Sequence, residues 1–362
     1  MTSFFSSLLV VLIILRYRHI HENYSGDDDK SGPQKFHYGR IPRVGGLGIY
    51  IALWIATLVA CLKDRSIGVF IGLLLIAALP VFTIGLAEDL TKRIGAIKRL
   101  VGGFFSGALL LYLFTISTIR VGVFGLDAIF LNVWFVTIFL CIACAGLANS
   151  YNIIDGFNGL ASMVGVISTA AIAFVAFKVN DLVLVYGALA LIGSVLGFFI
   201  WNYPKGLIFL GDGGAYLIGF LIAALSILLV HRNPTVSPWF VLLTNAYPVF
   251  ETLFTIWRRT VHRGKSPLSP DGAHFHSLIY RRLIRWVYAK DQRSANTGQT
   301  HHYLNNSKTS PYLWLMSSVG IIPALLFWDS TPLLIMSCAF FSIFYSYSYR
   351  CVVRPRKPWW LR

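Results

Sequence analysis

Between residues 44 and 348 the chain returns repeatedly to uncharged apolar runs of about 20 residues, the length a helix needs to cross a hydrocarbon layer roughly 30 Å thick. Inside such a layer each backbone amide must find its partner within the protein, so runs of this kind admit helices and little else. Ten are long enough: 44–62, 68–87, 100–117, 128–148, 159–177, 182–200, 213–230, 239–257, 311–328 and 332–348. An eleventh, Phe4 to Leu15, is shorter. No basic residue precedes it, and Arg16, Tyr17 and Arg18 stand where a cleavage site would need small residues, so it reads as a first span and not as a signal peptide. The pattern predicts an all-α polytopic membrane protein, one integral domain built as a bundle of roughly ten or eleven transmembrane helices.

Composition fits that class. Only 13% of the 362 residues are charged, about half the ordinary soluble share. The net charge of +16 does not mark a nucleic-acid footprint, because the basic residues crowd into loops between the apolar runs. Five cysteines give no disulfide framework, and the Cys141-x-x-Cys144 pair lies within an apolar run with no second pair or histidine nearby, a poor zinc site.

Eleven spans place alternate loops on opposite sides. One set comprises 16–43, 88–99, 149–158, 201–212, the long basic loop 258–310 and the basic tail 349–362, and it holds 26 of the 31 Lys and Arg. The other set holds Lys63, Arg65, Arg120, Lys178 and Arg232. The positive-inside rule makes the first set cytoplasmic, with the N-terminus outside and the C-terminus inside, in the inner membrane.

The chemistry follows the same division. On the cytoplasmic set lie Glu88-Asp89, the cluster Asn152-Ile-Ile-Asp155-Gly156-Phe-Asn158-Gly159, the turn Phe209-Leu-Gly211-Asp212-Gly213-Gly214, and Asp271-Gly-Ala-His274-Phe-His276. An acid at the hydrocarbon edge costs a few kcal/mol unless paired, hydrated or bound to a cation, so about three such groups on one face imply a shared polar cleft. Carboxylate and amide oxygens are hard ligands, suited to Mg²⁺, or Mn²⁺ in its place. Glycines around Asp212, directly before a span, leave helix N-terminal amides facing a ligand, while Asp212 can equally serve as an N-cap. Glu251 falls inside a span, where it is either a functional acid or the partner of Arg258 or Arg259. His274 and His276 fit a phosphate site or a solvated loop better than zinc. Trp359 and Trp360 in the basic tail suit an interfacial anchor.

From about Lys35 to Arg285 these motifs occur in an order that resembles the polyprenyl-phosphate N-acetylhexosamine-1-phosphate transferases. The set is Lys35-x-His37 leading to Arg40-Ile-Pro42-Arg43-Val-Gly45-Gly46, then Glu88-Asp89 with Lys98, then Asn152 to Gly159, then Trp201-Asn202-Tyr-Pro204 with Phe209-x-Gly211-Asp212, and last Arg258-Arg259 with Ser269-Pro270-Asp271 and His274-Phe-His276. The resemblance implies transfer of a sugar 1-phosphate from a UDP-N-acetylhexosamine to a polyprenyl phosphate lipid at a cytoplasmic-face cleft, with release of UMP. It implies that Asp212 and Asn152 bind Mg²⁺, that Asp89, Glu88 and Asp155 are the catalytic acids, and that Arg43 and Lys98 hold phosphates. Phe209, Asn158, Asn202 and Arg40 fall where that family meets uridine, and His274 and His276 where it meets the donor sugar and diphosphate.

Two departures are visible. The usual acidic pair is Glu88-Asp89, one methylene longer at its first member, and the second loop acid is Asn158, better suited to uracil than to metal. The separated histidines lack the consecutive run of the peptidoglycan branch, which favours initiation of a surface polysaccharide or O-antigen. A secondary transporter would have a similar span count, but with inverted repeats and midplane charges. The oligomeric state, a homodimer included, is left open by the sequence.

Overall fold

The computed structural model describes residues 1–27, 40–262, 264, 266, 271–284 and 306–353. Lys35, His37, Ser269, Pro270, Trp359 and Trp360 lie outside the described residues. The helices are α1 (Thr2–Arg16), α2 (Arg18–Ser25), α3 (Gly45–Lys63), α4 (Arg65–Thr91), α5 (Ala96–Leu113), α6 (Val133–Ile154), α7 (Leu160–Lys178), α8 (Leu182–Asn202), α9 (Gly211–Arg232), α10 (Pro238–Thr244), α11 (Ala246–Trp257), α12 (Phe275–Ile279), α13 (Ser310–Leu326) and α14 (Thr331–Val353). Gly26–Asp27 and Ile41–Pro42 form a short antiparallel pair ahead of α3.

The all-α membrane architecture is present, with a different count of full spans. Among the described residues eight helices are long and apolar enough to cross a bilayer, and α10 with α11, bent by 76°, counts as a ninth when the pair is taken as one span. α1 and α13 are apolar but shorter, at 15 and 17 residues. α1 nonetheless packs into the bundle, burying Ser3, Ser7 and Val11, and the Trp201 indole donates to its Leu8 carbonyl at 3.1 Å.

The bend in the expected span 239–257 has a local cause. Pro248, third residue of α11, has no N–H for the Thr244 carbonyl, and a proline ring also crowds that carbonyl. Neighbouring side chains repair the break, as a membrane interior requires. The Ser168 hydroxyl of α7 donates to the Thr244 carbonyl at 3.1 Å, and the Asn245 amide donates to the Val241 carbonyl at 3.0 Å. The Tyr151 hydroxyl donates to Asn245 Oδ1 at 3.1 Å.

α9 is the pillar of the bundle. It is apolar around its whole circumference, and such a helix has no face for solvent. α3, α4, α6, α7 and α8 pack around it, and every residue from Gly211 to Val230 is buried. Small residues bring the backbones close where α4 meets its start: a Cβ on Gly85 would stand 2.7 Å from the Gly213 Cα.

The loop ends sort into two groups, as their alternation predicts. At one end Arg232 binds Asp181, the Arg120 guanidinium donates to the Val236 carbonyl, and Ser237 meets Thr331. At the other end the polar motifs converge.

Candidate active site

Asp212 occupies the first turn of the pillar. Gly211 before it has φ +75°, a left-handed conformation that glycine adopts without strain, and a Cβ there would stand 2.6 Å from Asp89 Oδ2. Asp89, in the last turn of α4, is 2% exposed and spends both carboxylate oxygens on backbone. Oδ1 accepts the Asp212 N–H and Oδ2 the Gly213 N–H, each at 2.8 Å. Asp89 therefore caps α9 from another helix, placing negative charge at the positive end of its dipole.

With the backbone held, the Asp212 side chain gathers cations. Oδ1 accepts from Arg43 Nη2 at 3.2 Å and from the Asn152 amide at 2.9 Å. Oδ2 pairs with Arg99 in the first turn of α5. Arg43 also lies 3.8 Å from Asp89. The Arg99 guanidinium lies 5.7 Å from the centre of the Tyr216 ring, and the Tyr216 hydroxyl donates to Asn149 Oδ1 at 2.8 Å. Four helices and the lead-in to α3 thus meet at one carboxylate.

The other residues singled out in the sequence divide into those at this centre and those that brace it. Lys98 is exposed, while its neighbour Arg99 turns inward to Asp212. Sequence reasoning missed Arg99. The available signal was helical phase, since Arg99 lies one turn before the buried Gly102 and Gly103 and two before the buried Ser106. Glu88 accepts the Ile94 N–H and closes the turn after α4. Asn158 and Asn202 are buried braces: the Asn158 amide donates to the Pro204 carbonyl at 3.2 Å, and Asn202 accepts the Gly159 N–H at 2.6 Å while donating to the Ile208 carbonyl at 2.8 Å. Phe209 ties its backbone to Pro42 and Gly45, and Arg40 is exposed. Asp155 follows α6, half-buried, and burial pushes its carboxyl up to about 7 against the pull of Arg43.

The histidine segment is a second cluster. Glu251, fully buried on α11, finds neither Arg258 nor Arg259. Its Oε1 meets His274 Nδ1 at 3.1 Å and accepts the Phe275 N–H at 3.1 Å, and its Oε2 accepts the Tyr345 hydroxyl at 2.7 Å. The two arginines pair with Asp271 instead. His276 stacks on His274 at 5.3 Å and lies edge-on to Phe157 at 5.6 Å. A Cβ on Gly156 would stand 2.9 Å from His276 Nε2, so this ring covers the Asn152–Gly159 turn. Burial, reinforced by His274, pulls His276 down to about 3, which leaves it neutral at working pH.

Beside both clusters runs a groove of about 740 Å³ between α6, α9 and the bent α10–α11 pair. Asn149, Asp271 and His274 line it at the polar end, and Arg120, Val121 and Trp239 at the other; the wall between is almost wholly apolar. Among the described residues no three His, Cys, Asp or Glu gather around a metal position, so a cation here would rest on one carboxylate, one amide oxygen and whatever the substrates bring.

The family model described as Glycosyl transferase family 4 matches residues 70–230, which span the helices bearing Asp89, Arg99, Asn152 and Asp212. The chain is 29% identical to an undecaprenyl-phosphate alpha-N-acetylglucosaminyl 1-phosphate transferase of Thermotoga maritima, over 71% of this chain and 74% of the relative. It is 28% identical to a probable undecaprenyl-phosphate N-acetylglucosaminyl 1-phosphate transferase of Bacillus subtilis, over 76% of each. It is also 28% identical to a phospho-N-acetylmuramoyl-pentapeptide-transferase of Lactobacillus gasseri, over 78% of this chain and 92% of the relative.

Proposed function

We propose, from the match of residues 70–230 to the family model described as Glycosyl transferase family 4, that the chain moves N-acetylhexosamine 1-phosphate from a UDP-sugar to polyprenyl phosphate, releasing UMP. The observation that carries the reading is the meeting of Asp89, Asn152 and Asp212 with Arg43 and Arg99, close in the chain to Leu100, Asn149 and Ser150, which line an apolar groove. A phosphorylated lipid needs such a groove for its tail, and a nucleotide sugar needs cationic groups at its mouth.

Phosphoryl transfer asks a protein chiefly for positioning and for stabilisation of charge spread over the phosphate oxygens. Arg43 and Arg99 are the groups for that charge, and Asp212 holds them in place. The Asp212 carboxylate, which accepts the Asn152 amide N–H at 2.9 Å, and the Asn152 amide oxygen are hard donors of the kind Mg²⁺ prefers, and they would hold it. Bound there, Mg²⁺ would supply charge neutralisation for the donor diphosphate. Asp89 keeps the start of α9 in place beneath Asp212, and His276 reaches the site as a neutral ring over the Gly156 turn. Asp155, just past the end of α6, is an acid able to exchange a proton near neutral pH.

The cleft faces the cytoplasm, where the nucleotide sugar is, and the separated histidines favour a surface polysaccharide or O-antigen product. The purified chain, given Mg²⁺, polyprenyl phosphate and a panel of UDP-N-acetylhexosamines, should release UMP and form a lipid diphosphate sugar with one of them. No UMP from any donor would refute the assignment.

A further inference from the structure

Resting on the transferase reading, we propose that Glu251 is a positioning residue that turns His274 toward the groove, so that His274 serves the lipid phosphate while His276 serves the nucleotide-sugar side.

Glu251 is a fully buried carboxylate that the transfer chemistry does not use directly. A buried charge is costly unless hydrogen bonds compensate it, and three do here. Two of them fix the histidine segment, one at the His274 ring and one at the Phe275 amide where α12 begins. The third anchors Glu251 to Tyr345 of α14, and the Tyr349 hydroxyl adds a bond to the Ala273 carbonyl at 3.0 Å. The approach to His274 is thus fixed from both sides.

A carboxylate against Nδ1 makes that nitrogen the hydrogen donor, which sets the ring orientation. Thr255 Oγ1 lies on the same side, 3.3 Å from Nδ1. Nε2 then points away from Glu251 and has no partner among the described residues. His274 lines the groove, and His276 is not among its lining residues. The other charged group at that end, Asp271, is engaged by Arg258 and Arg259. A tail lying in the apolar part of the groove brings its phosphate to the polar end, where His274 stands. Between the Glu251 carboxylate and a phosphate, both ring nitrogens of His274 face hydrogen-bond acceptors.

The test measures KM for polyprenyl phosphate and for the UDP-sugar separately, on full-length protein in detergent. His274→Ala should raise the acceptor KM by about 10- to 100-fold, the loss of one charge-assisted bond, with the donor KM within about twofold. Glu251→Gln should move the acceptor KM in the same direction by a smaller factor, because the ring is no longer held by a charge. Tyr345→Phe removes a single bond and serves if the Glu251 variant does not fold. A rise in donor KM alone, or acceptor KM unchanged in His274→Ala and in whichever of the other two variants folds, would overturn the assignment. If the wild-type chain releases no UMP with any donor, the transferase reading has failed instead. In that case, binding of a tail-labelled polyprenyl phosphate, weakened or not by His274→Ala, still decides whether this ring meets the lipid.

Discussion

The Asp89 carboxylate grips the backbone of Asp212 and not its side chain, with one oxygen on the Asp212 amide and the other on the Gly213 amide. This makes Asp89 a fixture of the site's geometry in addition to any part it takes in chemistry. Asp89→Asn keeps the shape but offers an N–H₂ to one of the two amides. The loss of a charge-assisted bond is worth roughly 1.5–3 kcal/mol, so the variant should melt at a lower temperature and turn over at least about tenfold more slowly. Slow turnover with unchanged melting would mean that the cap is dispensable.

Arg99 and Lys98 are adjacent in sequence and separate in placement, the first paired with Asp212 and the second exposed. Arg99→Ala should lower turnover by about 10- to 100-fold, the equivalent of one charge-assisted contact. Lys98→Ala should stay within about twofold, since an exposed lysine contributes little. Initial rates of UMP release from the two variants side by side would decide it, and the reverse ranking would show that the order is wrong.

Asp155 should give the enzyme its pH dependence near neutrality. Its carboxyl is pushed up to about 7 by burial, so turnover that requires the anion should climb as pH rises through that value. Stability runs the other way. The folded chain favours the neutral acid, so this contribution is complete below the unfolded pKa of about 4 and is lost as pH rises through the folded value. Asp155→Asn should flatten the turnover profile near pH 7 and melt no lower than wild type at higher pH. A profile that still rises in the variant would assign the titration to another group.

The helix break at Asn245 depends on a hydroxyl from outside it. Ser168→Ala leaves the Thr244 carbonyl buried without its partner, at a cost of about 1–3 kcal/mol. The variant should lose thermal stability in detergent, and wild-type melting would show that the carbonyl finds another donor.

Close packing at the pillar's start makes a sharper demand. Gly85→Ala would place a methyl group 2.7 Å from the Gly213 Cα, against backbone that cannot rotate away. Overpacking of this kind costs about 1–3 kcal/mol, and the displaced turn carries Asp212. Lower melting and lower turnover should appear together, and separation of the two would argue that α4 shifts without moving the site.

The span pattern and the grouping of loop ends were legible because both follow from hydropathy and alternation, which need no knowledge of tertiary contacts. The break within 239–257 was not, because a hydropathy average passes over Pro248 and cannot tell whether a neighbour will take up the freed carbonyl. Asp212 could be recognised from its glycines, but the task of Asp89 could not, since a cap supplied by another helix leaves no local pattern. Asn158 and Asn202 fall where the resembled family meets uridine. Their hydrogen bonds go to loop backbone, and a sequence gives no hint of which partner an amide will find. Glu251 was undecided between function and pairing with Arg258 or Arg259. Its actual partners stand 23 to 94 residues away along the chain, beyond the reach of any local reading.

Burial of α9 along its length also bears on how the protein meets its bilayer. A membrane thicker or thinner than the apolar belt acts on helices in contact with lipid, by tilting them or deforming the lipid around them. α9 is enclosed by its neighbours, so such stress reaches Asp212 only through α4, whose Asp89 holds the pillar's first turn, and through the other helices packed around it. The outer helices form a collar placed to absorb mismatch, so the carboxylate at the centre should keep its place while the lipid composition around the protein changes.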